Sequence, residues 1–171
     1  MQIIVRRLAE SDIVENFDCK DGPLNNYLKK HAWNNQQKIS IGVTYVAVDE
    51  TAPSTVLGYF TLATSSIAGN AFPKKHVRGL PAYDLPLILL ARLAVDYRFE
   101  GRGLGGLLLT EAFKVSLIVA EQVGCRCIIT EAYREKIGWY AKYGFIPLEG
   151  DKDKPTQRMF LDVRTLKKAV L

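Results

Sequence analysis

Leu93-Ala94-Val95-Asp96-Tyr97-Arg98-Phe99-Glu100-Gly101-Arg102-Gly103-Leu104-Gly105-Gly106 is the stretch on which the reading of this chain turns. Upstream, Leu87–Val95 is a nearly continuous apolar run, the pattern of a strand covered on both faces. Downstream, Leu107–Val123 is apolar almost all round, which predicts a deeply buried helix ended by Gly124. Arg126–Thr130 then reads as a short buried strand. Glycines between a strand and a helix let backbone N–H groups approach an anion, and the helix N-terminus adds partial positive charge. Pyrophosphate binding follows from that arrangement. A tight turn needing positive φ accounts for the same glycines.

The spacing separates the phosphate-binding architectures. A P-loop ends in Gly-Lys-Ser/Thr, whereas this turn ends Gly105-Gly106-Leu107. A Rossmann fingerprint matches literally at Gly101, Gly103 and Gly106, and Glu131 follows the next strand. However, Asp96 to Glu100 intervene between strand and turn, and only 40 residues follow Glu131, too few for the rest of a dinucleotide fold.

Outward from this centre, Gln2–Leu8 alternates as a first strand. Asp21-Gly22-Pro23 supplies a cap and a first-turn proline for a helix carrying Leu24, Tyr27, Leu28 and His31. Thr44–Val48 and Thr55–Ile67 read as a hairpin across Asp49–Pro53. A loop with Pro73, Gly79, Pro81 and Pro86 follows, then the central unit, a short helix over Lys136–Tyr143 and a last strand over Arg158–Val163. The order β, α, β, β, β, α, β, α, β predicts a mixed α/β fold with one central parallel pair.

Composition bounds the rest. The chain has 171 residues, 48% apolar and 24% charged, enough for one domain that buries roughly 70% of its unfolded surface. These figures exclude disordered, collagenous and coiled-coil classes. The apolar run Leu85–Val95 is interrupted by Arg92 and is too short for a membrane span, and Arg6 and Arg7 break the opening apolar run, so neither anchor nor signal peptide is expected. Cys19, Cys125 and Cys127 form no framework and suit a reducing cytoplasm. With only His31 and His76 to help them, they predict packing and no metal site. The net charge of +5, from 23 Lys and Arg, is consistent with a polyanionic partner.

The strand, spacer, glycine turn and hydrophobic helix resemble the acyl-CoA-binding core of the GNAT N-acetyltransferase superfamily. Gly103 and Gly105 match its Gln/Arg-x-x-Gly-x-Gly/Ala signature with Arg102 at the intervening position, while Glu100 departs from the usual Gln or Arg. Trp139-Tyr140-Ala141-Lys142-Tyr143-Gly144-Phe145 is similar to the family's aromatic-Tyr-x-x-x-Gly-Phe element. The resemblance implies a GNAT fold: a mixed sheet of about 6–7 strands with a splayed parallel pair and about 4 flanking helices, forming one domain over 1–171. It implies acetyl-CoA as cosubstrate, held by the backbone of Leu93, Ala94 and Val95, by Gly101, Arg102, Gly103, Leu104, Gly105 and Gly106, and by Tyr143. The Val95 amide takes the oxyanion role and Tyr140 that of general acid to the departing thiolate. Tyr133 stands where the family often places Asn.

Glu131 and Asp96 are the carboxylates open to a base role, and structural or capping roles account for both. An α-amine, near ~7.7–8.0, needs less help from a base than a lysine near ~10.4. Phe17-Asp18-Cys19-Lys20, Gly58-Tyr59-Phe60-Thr61-Leu62, Arg78-Gly79-Leu80-Pro81 and Leu90–Asp96 further resemble the GNAT toxins of bacterial type II toxin–antitoxin pairs. That resemblance implies acetylation of aminoacyl-tRNA, a ribbon-helix-helix antitoxin, a homodimer and a cytoplasmic setting. Lys29, Lys30, Lys74, Lys75, Arg78 and Arg92 are the candidate RNA contacts; an ion pair to a carboxylate equally accounts for Arg92. Asp151–Lys154 and Arg164–Lys168 read as solvated loop and tail charges. A GNAT enzyme of protein N-termini, lysines or small amines, and a non-catalytic acyl-CoA- or RNA-binding module, remain alternatives.

Overall fold

In the computed structural model, which describes residues 1–170, seven strands follow the chain: β1 (Ile3–Arg7), β2 (Val43–Asp49), β3 (Ala52–Ile67), β4 (Leu85–Val95), β5 (Cys127–Tyr133), β6 (Ile146–Pro147) and β7 (Thr156–Asp162). They are hydrogen-bonded in one mixed sheet of order β1-β2-β3-β4-β5-β7-β6, the GNAT architecture. The helices are α1 (Gly22–Asn26), α2 (Ala32–Asn34), α3 (Lys74–Val77), α4 (Leu104–Val123), α5 (Ile137–Lys142) and α6 (Val163–Val170). Two π-helical turns, Tyr27–His31 and Asn35–Ile39, make 22–39 a continuous helical segment with α1 and α2. Leu171, the last residue of the expected single domain, lies outside the described residues. The described chain forms two compact units, one of Met1–Ala63 with Ala91–Lys114, the other of Thr64–Leu90 with the chain from Val115 onward.

In the first unit, β-branched and aromatic residues along Val43–Asp49 favour extended backbone. β2 pairs antiparallel with β1 from Ile3↔Asp49 to Arg7↔Tyr45, and with β3 from Val43↔Leu62 to Asp49↔Ala52. The Asp21 carboxylate caps α1 by accepting from the Leu24 amide at 2.9 Å, with Pro23 in the first turn as the sequence predicts. The core gathers Leu8, Phe17, Leu28, Ala32, Val46, Val48, Val56, Tyr59 and Ala94. Burial of Tyr59 is possible because its hydroxyl donates to the Leu24 carbonyl at 2.8 Å. At Gly58 the chain of β4 lies close: an added Cβ would sit 3.1 Å from the Ala94 carbonyl oxygen and 2.9 Å from Leu108 Cδ1, so a larger residue would crowd both.

In the second unit, β5 pairs with β7 antiparallel from Cys127↔Asp162 to Tyr133↔Thr156 and with β4 in parallel from Leu87↔Cys127 to Leu90↔Thr130. Its core joins Phe72, Leu85, Leu87, Cys127, Ile129, Leu148 and Phe160. Cys125 donates through Sγ to the Cys127 carbonyl, and no cluster of metal-ligating side chains lies among the described residues. No helix among the described residues is long and apolar enough to cross a membrane.

Several expectations are corrected. The charges Arg164 and Lys168 are exposed as expected, but the segment is helical: it lies within α6, where Val163 and Leu166 (both buried) alternate with charged residues and give an amphipathic face. Asp151 is buried and paired with Lys154 and Arg158, so that loop is anchored from within. α4 begins three residues earlier than its apolar run, and it is not buried all round, since Ile118 and Val123 are 56% and 77% exposed. Its end is as expected: Gly124 has φ +79° and donates to the Ala120 carbonyl at 3.1 Å.

Candidate active site

The parallel ladder between β4 and β5 stops at Leu90↔Thr130, although β4 continues to Val95 and β5 to Tyr133. Leu93, Ala94 and Val95 therefore belong to a strand end outside that ladder, within the first unit. Asp96 fixes the direction in which the chain leaves it. The Asp96 amide donates to the Leu57 carbonyl at 2.9 Å. Its fully buried carboxylate accepts from the Arg98 amide (3.0 Å), Arg98 Nε and Nη2 (both 2.8 Å) and the Asp18 amide (3.1 Å). Burial alone would raise Asp96, but the Arg98 guanidinium and the two amides outweigh it and hold the carboxyl below the usual carboxylate range. An acceptor so occupied is a clamp and no base for an incoming amine.

Because the folded pKa is depressed below ~3.9, the stabilisation from Asp96 is fully present above that value and is lost as pH falls through the folded pKa. Asp96→Asn is expected to cost about 1–3 kcal/mol at pH 7, with the gap from the parent narrowing in acid. Urea unfolding at neutral and acidic pH checks this; a gap independent of pH would show that the carboxylate charge is not its source.

The clamp delivers the chain through the 3₁₀ turn Tyr97–Phe99 to the glycines. Gly101 and Gly103 have φ of +72° and +79°, and a Cβ at either would meet nothing within 4 Å, so backbone conformation and not space selects glycine there. α4 opens at Leu104, its first bond running from the Leu107 amide to the Gly103 carbonyl at 3.1 Å. Among the described residues, no group accepts a hydrogen bond from the amides of Gly101 to Gly106. These amides, at the positive end of a 20-residue helix, have the geometry of a candidate anion cradle. Leu104 faces the core, so its contribution to the cradle is its amide alone. The Arg102 guanidinium lies 5.5 Å from the Phe99 ring centroid, beside a cavity of about 180 Å³ that Leu104 and Leu107 also line.

The second unit holds the aromatic block. Tyr140 lies on α5 and is 8% exposed, its ring packed edge-on against Trp139 and Phe145 with centroids at 4.9 and 5.5 Å. Burial pushes its phenol pKa up, and a hydrogen bond with the Thr130 side chain offsets part of that. Thr130 is itself fixed, its hydroxyl donating to the Leu90 carbonyl at 3.1 Å, at the residue pair where the parallel ladder ends. Tyr143 packs on Trp139 at 5.0 Å, and Gly144 follows with φ +91°. Glu131 is exposed and accepts from the Thr156 hydroxyl on the neighbouring strand, so it too is engaged. The sequence names Asp96 only as a possible base and quotes Asp18 and Gly58 only within resembling blocks; the contacts that fix Asp96, Arg98 and Thr130 are not among its expectations. Of these only Thr130, a hydroxyl closing the apolar run Cys127-Ile128-Ile129, carries a local signal.

The basic candidates divide between the units. Lys29 and Lys30 are exposed on the first π-helical turn and Arg92 lies on β4, all in the first unit; Lys74 and Lys75 on α3, with Arg78 beside it, are exposed in the second. The carboxylate partner expected for Arg92 is absent among the described residues. Its guanidinium instead lies over the Tyr27 ring, 4.7 Å from the centroid, and Nη1 donates to the Ala91 carbonyl at 2.8 Å.

Comparison with known proteins agrees with this geometry. A family profile described as an acetyltransferase (GNAT) domain matches residues 40–147. The tRNA-acetylating toxin of Mycobacterium tuberculosis (strain ATCC 25618 / H37Rv) is 32% identical over 141 residues, covering 82% of this chain and 82% of the relative. The structure of AtaT complexed with acetyl-methionyl-tRNAfMet superposes with a TM-score of 0.89 at 27% identity, covering 99% of this chain and 100% of that one. A tyrosine-to-phenylalanine variant of AtaT, bound to the C-terminus of the antitoxin AtaR and to acetyl-CoA, superposes with a TM-score of 0.78 at 26% identity over 98% of each chain. With a run of unpaired amides opening α4, a buried phenol on α5 and these likenesses, the chain belongs to the GNAT acetyltransferase family.

Proposed function

We propose that this chain moves the acetyl group of acetyl-CoA to the α-amine of aminoacyl-tRNA and thereby blocks translation as the toxin of a toxin–antitoxin pair. The observation that carries the reading is the unpaired run of amides Gly101–Gly106 at the head of α4. Those amides bind the diphosphate of the cosubstrate, Leu93, Ala94 and Val95 extend along its thioester arm, and Tyr143 adds a side contact. The Val95 amide receives the charge that develops on the thioester oxygen.

The neutral amine attacks the carbonyl carbon, an N–C bond forms and the C–S bond breaks. The sulfur leaves as a thiolate and takes its proton from Tyr140, while the nitrogen sheds one proton to solvent and the Tyr140 phenolate regains one from it. A tyrosine near ~10 protonates a thiolate near ~8.5 only if it is still protonated when the thiolate departs, and burial of Tyr140 favours that state. Asp96 and Glu131 already hold other partners, which suits an amine that is substantially neutral near pH 8 on its own.

The relative in Mycobacterium tuberculosis is named for tRNA acetylation, and AtaT has been seen with an acetylated aminoacyl-tRNA and with an antitoxin, which supports the same substrate and a small antitoxin partner here. The match over 40–147 draws on both units and supports reading 1–171 as one catalytic domain. We extend the reading to a cytoplasmic homodimer with a ribbon-helix-helix antitoxin. Incubation with labelled acetyl-CoA and charged tRNA tests the whole reading. Label recovered on the amino acid after mild deacylation supports it, whereas label on lysine side chains or on uncharged tRNA overturns it.

A further inference from the structure

We infer that Arg92 holds the phosphodiester on the 5′ side of the acceptor's terminal nucleoside, and so measures which amines reach the thioester. The inference rests on the aminoacyl-tRNA reading above. A guanidinium within the apolar strand Leu85–Val95 is costly unless its charge is matched. Arg6, Arg98, Arg126, Arg158 and Arg164 are each matched by an aspartate. Arg92 has no such partner among the described residues; it gives one N–H to the Ala91 carbonyl and lies over the Tyr27 ring, leaving the rest of its fork open.

The seat is rigid. Tyr27 stacks on Tyr59 at 6.4 Å and 17°, and the Tyr59 hydroxyl is tied to the Leu24 carbonyl. A planar guanidinium braced on an aromatic face is suited to bidentate phosphate binding. Lys29 and Lys30 are exposed on the π-helical turn that begins at Tyr27, so further positive charge lies on the element whose ring seats Arg92.

The spacing fits one acceptor class. Arg92 precedes Val95 by three residues, roughly 10 Å along a strand. In an aminoacyl ester of a terminal ribose, the amine and the 5′ phosphorus are joined through the α-carbon, the ester and C3′ to O5′, about 10 Å when extended. That tether has the length needed for an amine held near Val95 to set its phosphate within reach of Arg92. Free amino acids and protein N-termini have nothing to put there.

The test compares full-length protein, Arg92→Gln and Arg92→Lys on two acceptors, intact aminoacyl-tRNA and the same aminoacyl ester of adenosine, which lacks phosphate. Arg92→Gln is expected to lower kcat/KM on aminoacyl-tRNA about tenfold or more and to reduce the slope of its salt dependence by about one. The rate on aminoacyl-adenosine and the affinity for acetyl-CoA should stay unchanged, and Arg92→Lys should recover the salt slope but only part of the rate. Equal losses on both acceptors would assign Arg92 a structural role, and no loss on either would remove it from the site; both overturn the inference. If the unsubstituted protein acetylates neither acceptor, the functional reading itself falls, and the inference with it.

Discussion

Tyr140→Phe is expected to lower kcat by a factor of ~10² or more while leaving the affinity for acetyl-CoA within about twofold. The change deletes one oxygen. The ring keeps its edge-on contacts with Trp139 and Phe145, so α5 keeps its packing and the variant should fold. What disappears, on the proposed mechanism, is the proton donor to the departing thiolate, which matters in the transition state and contributes little to ground-state binding. Because burial holds the phenol above its ordinary range, the unsubstituted enzyme should keep its acid protonated beyond pH ~10, and any alkaline decline in kcat should lie above that value. Initial rates with calorimetric CoA binding check the pair of statements. Full activity in the variant would move the acid role to water or to another group.

Thr130 gives a second view of the same proton. Its hydroxyl bonds both to the phenol and to the Leu90 carbonyl, at the residue pair where β4 and β5 cease to be a ladder. The position of the Tyr140 phenol is thus tied to the end of the parallel pairing. That link joins residues 40 apart in the chain, and nothing local in the sequence announces it.

The parts of the site that were legible are those whose physics is local. The Gly101–Gly106 turn, the apolar runs on either side of it, the Asp21 cap and the Gly124 stop each express a backbone requirement within a few residues. The parts that were hidden depend on distant partners. Asp96 reads as a possible base until Asp18, 78 residues upstream, brings its amide to the carboxylate. For Arg92 the sequence leaves an RNA contact and an ion pair open, and the aromatic face that the helical segment 22–39 offers it is visible only in the fold. α6 went unread because Arg164, Lys167 and Lys168 dominate its short sequence and the apolar spacing of Val163 and Leu166 spans barely one turn. Glu100, the departure from the family signature, is exposed, and its amide donates to the Tyr97 carbonyl.

Gly103→Val is expected to weaken acetyl-CoA binding by tenfold or more and to lower kcat/KM in proportion, with a smaller effect on kcat at saturation. A β-branched residue at φ +79° is strained by about 1–3 kcal/mol, and no neighbour within 4 Å of the new Cβ offsets it. Relief of that strain requires the peptide to rotate. Rotation turns the Gly103 carbonyl away from the Leu107 amide and re-aims the donors on either side of it, so the cradle loses its geometry before the helix is lost. Gly124→Val supplies the control, because it imposes the same φ of +79° with equally open space at the other end of α4, about 30 Å away along a helix of this length. The two variants should lose comparable stability in urea, and only Gly103→Val should lose affinity for CoA. If calorimetry finds CoA bound equally well by both, the diphosphate does not sit on the amides that open α4, because strain common to the two positions would then be the sole consequence of the substitution.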